Sequence, residues 1–348
     1  MSSAAVLLAA GGGSRFEGTV HKLRADLAGR PVLLRSLDAA REAGADEIIV
    51  VVGAERFDDL LPSDVTVVVN DAWAKGQAGS LQAAVQHVED RGHDAVIVGI
   101  ADQPLVGGAA WARVLEADAP IAVASFHGER RPPVRLAREV WPLLPTEGDE
   151  AARVLLRARP DLVTAIDVPG TADDIDTIEE LQRMDQHLAD IEAVTELLGR
   201  RPQGRFTVAV RGDDGGPVVL RNHPVLDDGR PMPTLYWLCG ARESMLVGRL
   251  ESMKGVRRAE EELGLEVIAA AHDRYREERD AELQQAGVQP EHRPTGGVGG
   301  TRVGVKCLHA HYGWWLAGGD DPVGQWVADH LHEVDHTNWP APPDEEDS

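Results

Sequence analysis

The run Leu8-Ala9-Ala10-Gly11-Gly12-Gly13-Ser14-Arg15, followed at a distance by Lys22, has the residue types in this chain that most directly imply chemistry. Three consecutive glycines let the backbone take positive φ and come close to a ligand, because no Cβ intervenes. Successive N–H groups in such a turn make a concavity for an anion, and Arg15 and Lys22 add two cations. The two common phosphate loops do not fit. G-x-G-x-x-G would need a glycine where Phe16 stands. G-x-x-x-x-G-K-[ST] matches the spacing of Gly13 and Gly18 but meets Thr19 and Val20. The stretch is therefore a phosphate loop of a third kind, or else a glycine-rich strand-to-helix turn.

Carboxylates follow at suggestive places. Asp102, in Ala101-Asp102-Gln103-Pro104, comes directly after an apolar run, where it could hold Mg²⁺ against a phosphate. An isolated Asp-x-Pro equally reads as an Asx-type turn or a helix cap. Asp174 and Asp176 alternate in an extended segment, so their side chains point the same way and can share a site. Thr177 or Asp176 can also cap the helix that follows. Asn70, with Gly79 and Ser80, marks a second loop that can hydrogen-bond a base or ribose, with Trp73 as a packing residue.

The elements that must position these groups come from apolar patterning. Strands are expected at 5–9, 47–52, 65–69, 95–100, 121–124 and 163–168, and helices at 31–43, 79–90, 109–117, 136–144 and 150–159. Such alternation predicts βαβ units and a mostly parallel sheet covered on both faces. In these sheets ligands bind beyond the carboxyl ends of the strands, where the glycine loop and Asp102 both fall. A helix at 177–199 ends before Arg200-Arg201-Pro202. Its later part, 187–201, is expected to link domain 1–186 to a smaller α+β domain at 202–335. That second domain should hold a hairpin of strands 206–210 and 217–220, and a long charged helix over 256–286. The acidic tail 336–348 is expected to be disordered.

The net charge of −23 is spread evenly: 18 Lys and Arg against 30 Asp and Glu in residues 1–185, 17 against 28 in the rest. Neither half offers a basic face to nucleic acid, and an anionic membrane would repel both. No signal-peptide pattern, no membrane-length apolar run and only two cysteines lead us to expect a cytoplasmic protein.

Taken in order, the motifs of residues 4–183 resemble the molybdenum-cofactor nucleotidyltransferases, and the cytidylyltransferase branch above all. The matching residues are Leu8-Ala9-Ala10-Gly11-x-x-Ser14-Arg15, Lys22-Leu23, Gly29-Arg30-Pro31, Asn70-x-x-Trp73-x-x-Gly76-x-x-x-Ser80, Ala101-Asp102-Gln103-Pro104, Gly148-Asp149-Glu150 and Asp174-Ile175-Asp176-Thr177. The resemblance implies a Rossmann-like three-layer fold and Mg²⁺-dependent transfer of CMP from CTP to the phosphate of molybdopterin, releasing pyrophosphate. It implies Arg15, Lys22 and Asp102 as catalytic groups, with Asp102, Asp176 and Asp174 holding the metal. Leu8 to Ser14, Asn70, Gly79 and Ser80 would bind the nucleotide. Related guanylyltransferases tend to have glycine at the position of Ala10, so Ala10 favours CTP over GTP. A molybdoenzyme or its chaperone is an implied partner. Three departures stand out: Phe16 to His21 lengthen the approach to Lys22, Ile178 replaces a usual proline, and Arg131-Pro132-Pro133 stands where a Gly or His usually precedes proline. Other readings are a guanylyltransferase, a transferase with another phosphorylated acceptor, and a non-catalytic nucleotide-binding module.

Residues 202–330 resemble an uncharacterised actinobacterial domain family, DUF501, through Tyr236-Trp237-Leu238-Cys239, His272-x-x-Tyr275-x-x-x-Arg279, Arg302-Val303-Gly304-Val305-Lys306-Cys307-Leu308-His309-Ala310 and Leu316-Ala317-Gly318-Gly319. The resemblance brings no activity. Cys239, His272, Cys307, His309 and His311 offer donors for a metal, Cys307 alternatively a reactive thiol, or all of them internal packing.

Overall fold

In the computed structural model, which describes residues 2–226, 230–232, 234–285 and 294–335, the first strand runs buried through the middle of a sheet. β1 (Ser3–Ala9) is followed by a two-residue-per-strand hairpin, β2 (Asp26–Leu27) and β3 (Arg30–Pro31), and by α1 (Val32–Arg41). Next come β4 (Glu47–Val52), β5 (Thr66–Val69), α2 (Gln77–Asp90), β6 (Ala95–Ile100) and α3 (Gly108–Leu115). β7 (Ile121–Phe126), β8 (Glu129–Ala137), α4 (Ala152–Ala158) and β9 (Val163–Asp167) complete a seven-stranded sheet in the order 5-4-1-6-8-7-9.

β1 pairs in parallel with both β4 and β6. The strand order turns back on either side of it, so the loop leaving β1 lies at the topological switch point, where open sheets bind ligands. One face of the sheet, carrying Val6, Leu8, Ile49, Val51, Val96 and Val98, packs under Leu81, Ala84, Val85 and Val88 of α2. Leu7, on the alternate face of β1, is fully buried, and α1 contacts β1 and α3 on that side. The result is an α/β Rossmann-like three-layer unit.

One expectation fails in this unit and one strand was unforeseen. β8, antiparallel to both neighbours, is the unforeseen strand, and its last two residues, Leu136 and Ala137, fall in the helix expected at 136–144. Arg130-Arg131-Pro132-Pro133 disguise it, because proline cannot donate to a ladder. The β7–β8 register shifts between Val123 and Ala124, opposite these residues. Only a 3₁₀ segment, Arg138–Leu143, is helical there.

α5 (Ile178–Leu198) carries the chain across Gln186, where it divides into two compact units. The later part of α5 buries Val194 with Phe206, Leu220 and Cys239, so residues expected as linker also pack. The second unit has an antiparallel sheet of β10 (Phe206–Arg211), β11 (Pro217–Asn222) and β12 (Tyr236–Leu238). Helices α6 (Ala241–Ser252), α7 (Gly255–Leu263), α8 (Leu265–Gln285), α9 (Leu308–Leu316) and α10 (Pro322–His330) follow. Its core joins Val219, Leu238, Leu250, Ile268, Tyr275, Leu308, Trp314 and Trp326. The long helix expected at 256–286 is two helices. Gly264, at φ 79°, takes a positive φ between them that glycine tolerates. The tail 336–348 lies outside the described residues.

Candidate active site

The carboxyl edge of the first sheet is built by mutual hydrogen bonding of three strand ends. The amide of Ala54, after β4, donates to Ala10 O at 3.1 Å, and that of Ala101, after β6, to Leu8 O at 3.1 Å. Asp102 is thereby set beside the glycine loop. The amide of Ile175 donates to Asp102 O at 2.9 Å, which brings Asp176 to the same place from a distant part of the chain.

Capping leaves Asp176 free for this. Thr177 Oγ1 accepts from the Glu180 amide at 3.2 Å, while Glu180 Oε2 accepts from the amides of Asp176 and Thr177 at 2.8 and 2.9 Å. This reciprocal capping box opens α5 without using the Asp176 carboxylate.

Lys22 Nζ donates to Asp102 Oδ2 at 2.6 Å and to Asp176 Oδ1 at 2.9 Å, and an Arg15 guanidinium nitrogen lies 2.8 Å from Asp176 Oδ2. The lysine side chain is 11% exposed and both carboxylates 17%. Burial alone would lower the Lys22 ammonium, but the charge of Asp102 and hydrogen bonds to Asp102 and Asp176 outweigh it and hold it above the ordinary lysine range. Burial pushes the Asp102 carboxyl up, Lys22 pulls it down, and Asp174 and Asp176 push it up again, leaving it raised. Asp102 Oδ1 is buried with no hydrogen-bond partner.

That orphaned oxygen tests whether the residues fit a divalent ion. Mg²⁺ takes oxygen ligands and is usually held by one or two carboxylates together with substrate phosphates. Asp102 and Asp176 supply the carboxylates, and one buried oxygen awaits a partner. The donor set fits. Among the described residues no three His, Cys, Asp or Glu side chains gather as an all-protein cage would require. Asp174 is exposed and does not line the cleft.

The cleft has a volume of about 340 Å³. Leu8, Ala9, Ala10, Gly11, Gly13, Ser14, Arg15, Lys22, Ser80, Asp102 and Asp176 line it; Gly12, Asn70 and Gly79 do not. Asn70 works from behind: its Nδ2 donates to Ser80 Oγ at 3.0 Å, both residues being buried. Gly12 is backed by Trp73, whose ring lies 3.2 Å from where a Cβ would stand. Gly13, at φ 60°, uses the conformation glycine tolerates.

The lengthened approach to Lys22 is pinned at its base by His21. The Leu23 amide donates to His21 Nδ1 at 3.2 Å, so the ring hydrogen belongs on Nε2, which donates to Gly11 O at 3.0 Å. Burial lowers the pKa of this imidazole, and its ring meets Phe57 edge-on at 5.6 Å.

Gln77, which sequence reasoning missed, and Asp149, which it quoted in a motif without giving it a role, also line the cleft. Gly76, at φ 111°, lies so close to Gly148 that a Cβ would stand 2.6 Å from its carbonyl. The Ala78 amide donates to Gly148 O at 2.9 Å. This contact delivers Asp149 to the wall beside the first turn of α2, and the two glycines together with the Gly148-Asp149-Glu150 motif are its sequence signal.

A family model described as the MobA-like NTP transferase domain matches residues 5–163. The first unit is a MobA-like NTP transferase domain. A bifunctional protein GlmU from Cutibacterium acnes is 34% identical over 133 residues, 37% of this chain and 29% of that protein; the chain thus spans under a third of this relative's length. Among solved structures, Rv0371c from Mycobacterium tuberculosis is 26% identical, covers 53% of this chain and 98% of its own, and has a TM-score of 0.47. A nucleotidyl transferase from Methanothermobacter, at 24% identity, covers 54% and 98% with a TM-score of 0.47. A second family model, protein of unknown function (DUF501), matches residues 208–329. The chain thus carries a nucleotidyltransferase domain followed by a DUF501 domain.

The metal-donor types of the DUF501 domain are used differently from those of the MobA-like domain. Cys239 is buried beside Val194, Phe206 and Leu220, and its thiol, pushed up to about 11 by burial, points at the carbonyls of Pro217 and Val218. His309 spends both ring nitrogens, on Glu251 Oε1 at 3.2 Å and Ser244 O at 3.1 Å. Cys307 is the N-cap residue of α9 and packs partly against the core. Only His272 and His311 come together, ring centres 5.6 Å apart. His272 accepts from the Val298 amide and donates to Gly304 O. His311 Nδ1 lies 2.6 Å from Asp321 Oδ2. The five residues do not converge on one site. No helix among the described residues is long and apolar enough to cross a membrane.

Proposed function

We propose that the first unit transfers CMP from CTP to the phosphate of molybdopterin and releases pyrophosphate. The observation that carries this reading is the meeting of Asp102, Asp176, Lys22 and Arg15 beside the glycine loop in one cleft. An oxygen of the acceptor phosphate attacks the α-phosphorus, and the bond from that phosphorus to the bridging oxygen of pyrophosphate breaks. Such transfer depends on positioning and on neutralised charge more than on covalent help. Backbone N–H groups of the loop and the first turn of α2 bind phosphate oxygens. Arg15 and Lys22 balance the charge that accumulates on pyrophosphate. Asp102 and Asp176 would hold Mg²⁺, which when bound offsets charge on the α-phosphate. Ser80 and Gln77 offer hydrogen bonds to ribose or base. Ala10 supports cytosine through the motif resemblance, its methyl filling space that glycine would leave open. The reading places the reaction in the cytoplasm, with a molybdoenzyme or its chaperone receiving the product.

Pyrophosphate release with Mg²⁺ and molybdopterin, measured separately with CTP and GTP, tests it. CTP should be favoured at least about tenfold, a difference of roughly 1.4 kcal/mol in the barrier. Preference for GTP would overturn the nucleotide assignment and keep the chemistry. Release with a sugar phosphate but not with molybdopterin would overturn the acceptor. Tight nucleotide binding with no release to any acceptor would make the cleft a binding module.

A further inference from the structure

One ammonium bridges the two carboxylates that the proposed function gives to the metal. Lys22 Nζ stands 2.6 Å from Asp102 Oδ2 and 2.9 Å from Asp176 Oδ1, and Arg15 takes the other oxygen of Asp176. A divalent ion bonding an oxygen of each carboxylate must take an oxygen of Asp176 that Lys22 or Arg15 already holds, and on the oxygens nearest Nζ, at roughly 2.0–2.2 Å, it would need nearly the same point in space. The ammonium and the ion therefore compete for it. Charge counting agrees. Two carboxylates, one lysine and one arginine sum to zero; a divalent ion alone would leave the cluster positive, which is costly around the mostly buried Lys22, Asp102 and Asp176, although Arg15 reaches solvent. A nucleoside triphosphate entering with the ion offsets that excess and gives both cations another anion to hold.

We propose that Lys22 is a resident counter-ion that occupies the metal's place in the nucleotide-free protein and yields it when a divalent ion and a nucleoside triphosphate arrive together. The inference rests on reading the cleft as a metal–triphosphate site. Metal affinity is held low until nucleotide is present, and by linkage nucleotide affinity rises equally with metal. The lysine thus couples the two ligands before it serves the phosphates. Its side chain, 11% exposed at rest, becomes accessible once displaced.

The test uses the full chain and Mn²⁺ as probe, followed by electron paramagnetic resonance, with and without CTP or GTP. Wild type should bind Mn²⁺ weakly alone and at least about tenfold more tightly with nucleotide. Lys22→Met should bind Mn²⁺ at least about tenfold more tightly than wild type without nucleotide, and show less gain on adding it. Equal or weaker binding by Lys22→Met, with wild type still binding Mn²⁺ and nucleotide together, overturns the counter-ion role and leaves the proposed function standing. If wild type binds no Mn²⁺ even with either nucleotide, both fall. Should the variant not fold, acetylation of wild type decides, since the four lysines, Lys22, Lys75, Lys254 and Lys306, are easily separated by mass spectrometry. Labelling of Lys22 that rises severalfold in saturating Mn²⁺ supports displacement, and labelling unchanged by Mn²⁺ overturns it.

Discussion

Each unit holds a close pair of ionisable groups with one buried atom left over. In the first, Lys22 meets Asp102 at 2.6 Å and Asp102 Oδ1 has no partner. In the second, His311 meets Asp321 at 2.6 Å and His311 Nε2 has none. The surroundings differ. Asp102 borders a cleft of about 340 Å³ at a strand end, whereas His311 and Asp321 are at most 1% exposed, wedged between α9 and α10. Asp321 also caps α10, its Oδ1 accepting from the amides of Val323 and Gly324. One pair stores charge where a ligand can arrive; the other spends its charge on joining two helices. Residue type alone does not separate these uses, because both pairs look alike as chemistry.

The contrast is open to test, and the largest effect should come from the cleft. Asp102→Ala should lower pyrophosphate release by at least about a thousandfold, near 4 kcal/mol in the barrier, with the circular dichroism spectrum unchanged. Unfolding instead would make Asp102 a structural turn residue and erase the contrast. Asp321→Ala should do the reverse. It removes a helix cap and the partner of a buried histidine and should cost the second unit about 4 kcal/mol. Thermal unfolding followed by calorimetry would report the loss as a transition shifted downward while transfer continues. Lost transfer with unchanged melting would mean that the buried pair is functional.

The amino edge of the first sheet sharpens the same point. Glu47 is held by His87, His93 and Thr66 at 2.7 to 3.0 Å. Burial alone would raise its carboxyl, but those hydrogen bonds outweigh it and bring it down to about 2, from 4.5. A folded-state value below the unfolded one stabilises above the unfolded pKa and is lost as pH falls toward the folded one. About 3 kcal/mol should therefore disappear between pH 4.5 and 2. Urea midpoints across that range should flatten in Glu47→Gln; an unchanged slope would assign the acid sensitivity elsewhere. The smallest effect concerns the thiols. At pH 8 a disulfide reagent should modify the partly exposed Cys307 about a hundredfold faster than Cys239, which is buried and raised to about 11. Equal rates would mean that the second core opens readily.

What could be read in advance follows the same division. Strand and helix alternation, the glycine loop and Asp102 were legible because an apolar run ending in glycine or aspartate has few other meanings in an α/β sheet. β8 was not: its two prolines and two arginines look like a loop until the neighbouring strands supply the pairing. The break at Gly264 was hidden because one glycine within a charged helical pattern ordinarily costs little. Asp149 reaches the cleft only through the Gly76–Gly148 contact, a tertiary approach that no local pattern encodes. The five sulfur and imidazole donors of the second unit suggested a shared site because spacing says nothing of direction; in the fold Cys239, His272, His309 and His311 each turn to a partner of their own, and Cys307 packs against the core.

His21 carries one more consequence. Its hydrogen bonds to Gly11 and Leu23 close the chain at the foot of the lengthened loop, so Phe16 to Val20 form a side branch whose length is decoupled from the position of Lys22. Glu17, Gly18 and Thr19 are exposed at its tip. A short peptide tag or an environment-sensitive dye could be grafted there as a built-in reporter beside the cleft, with the machinery below left in register.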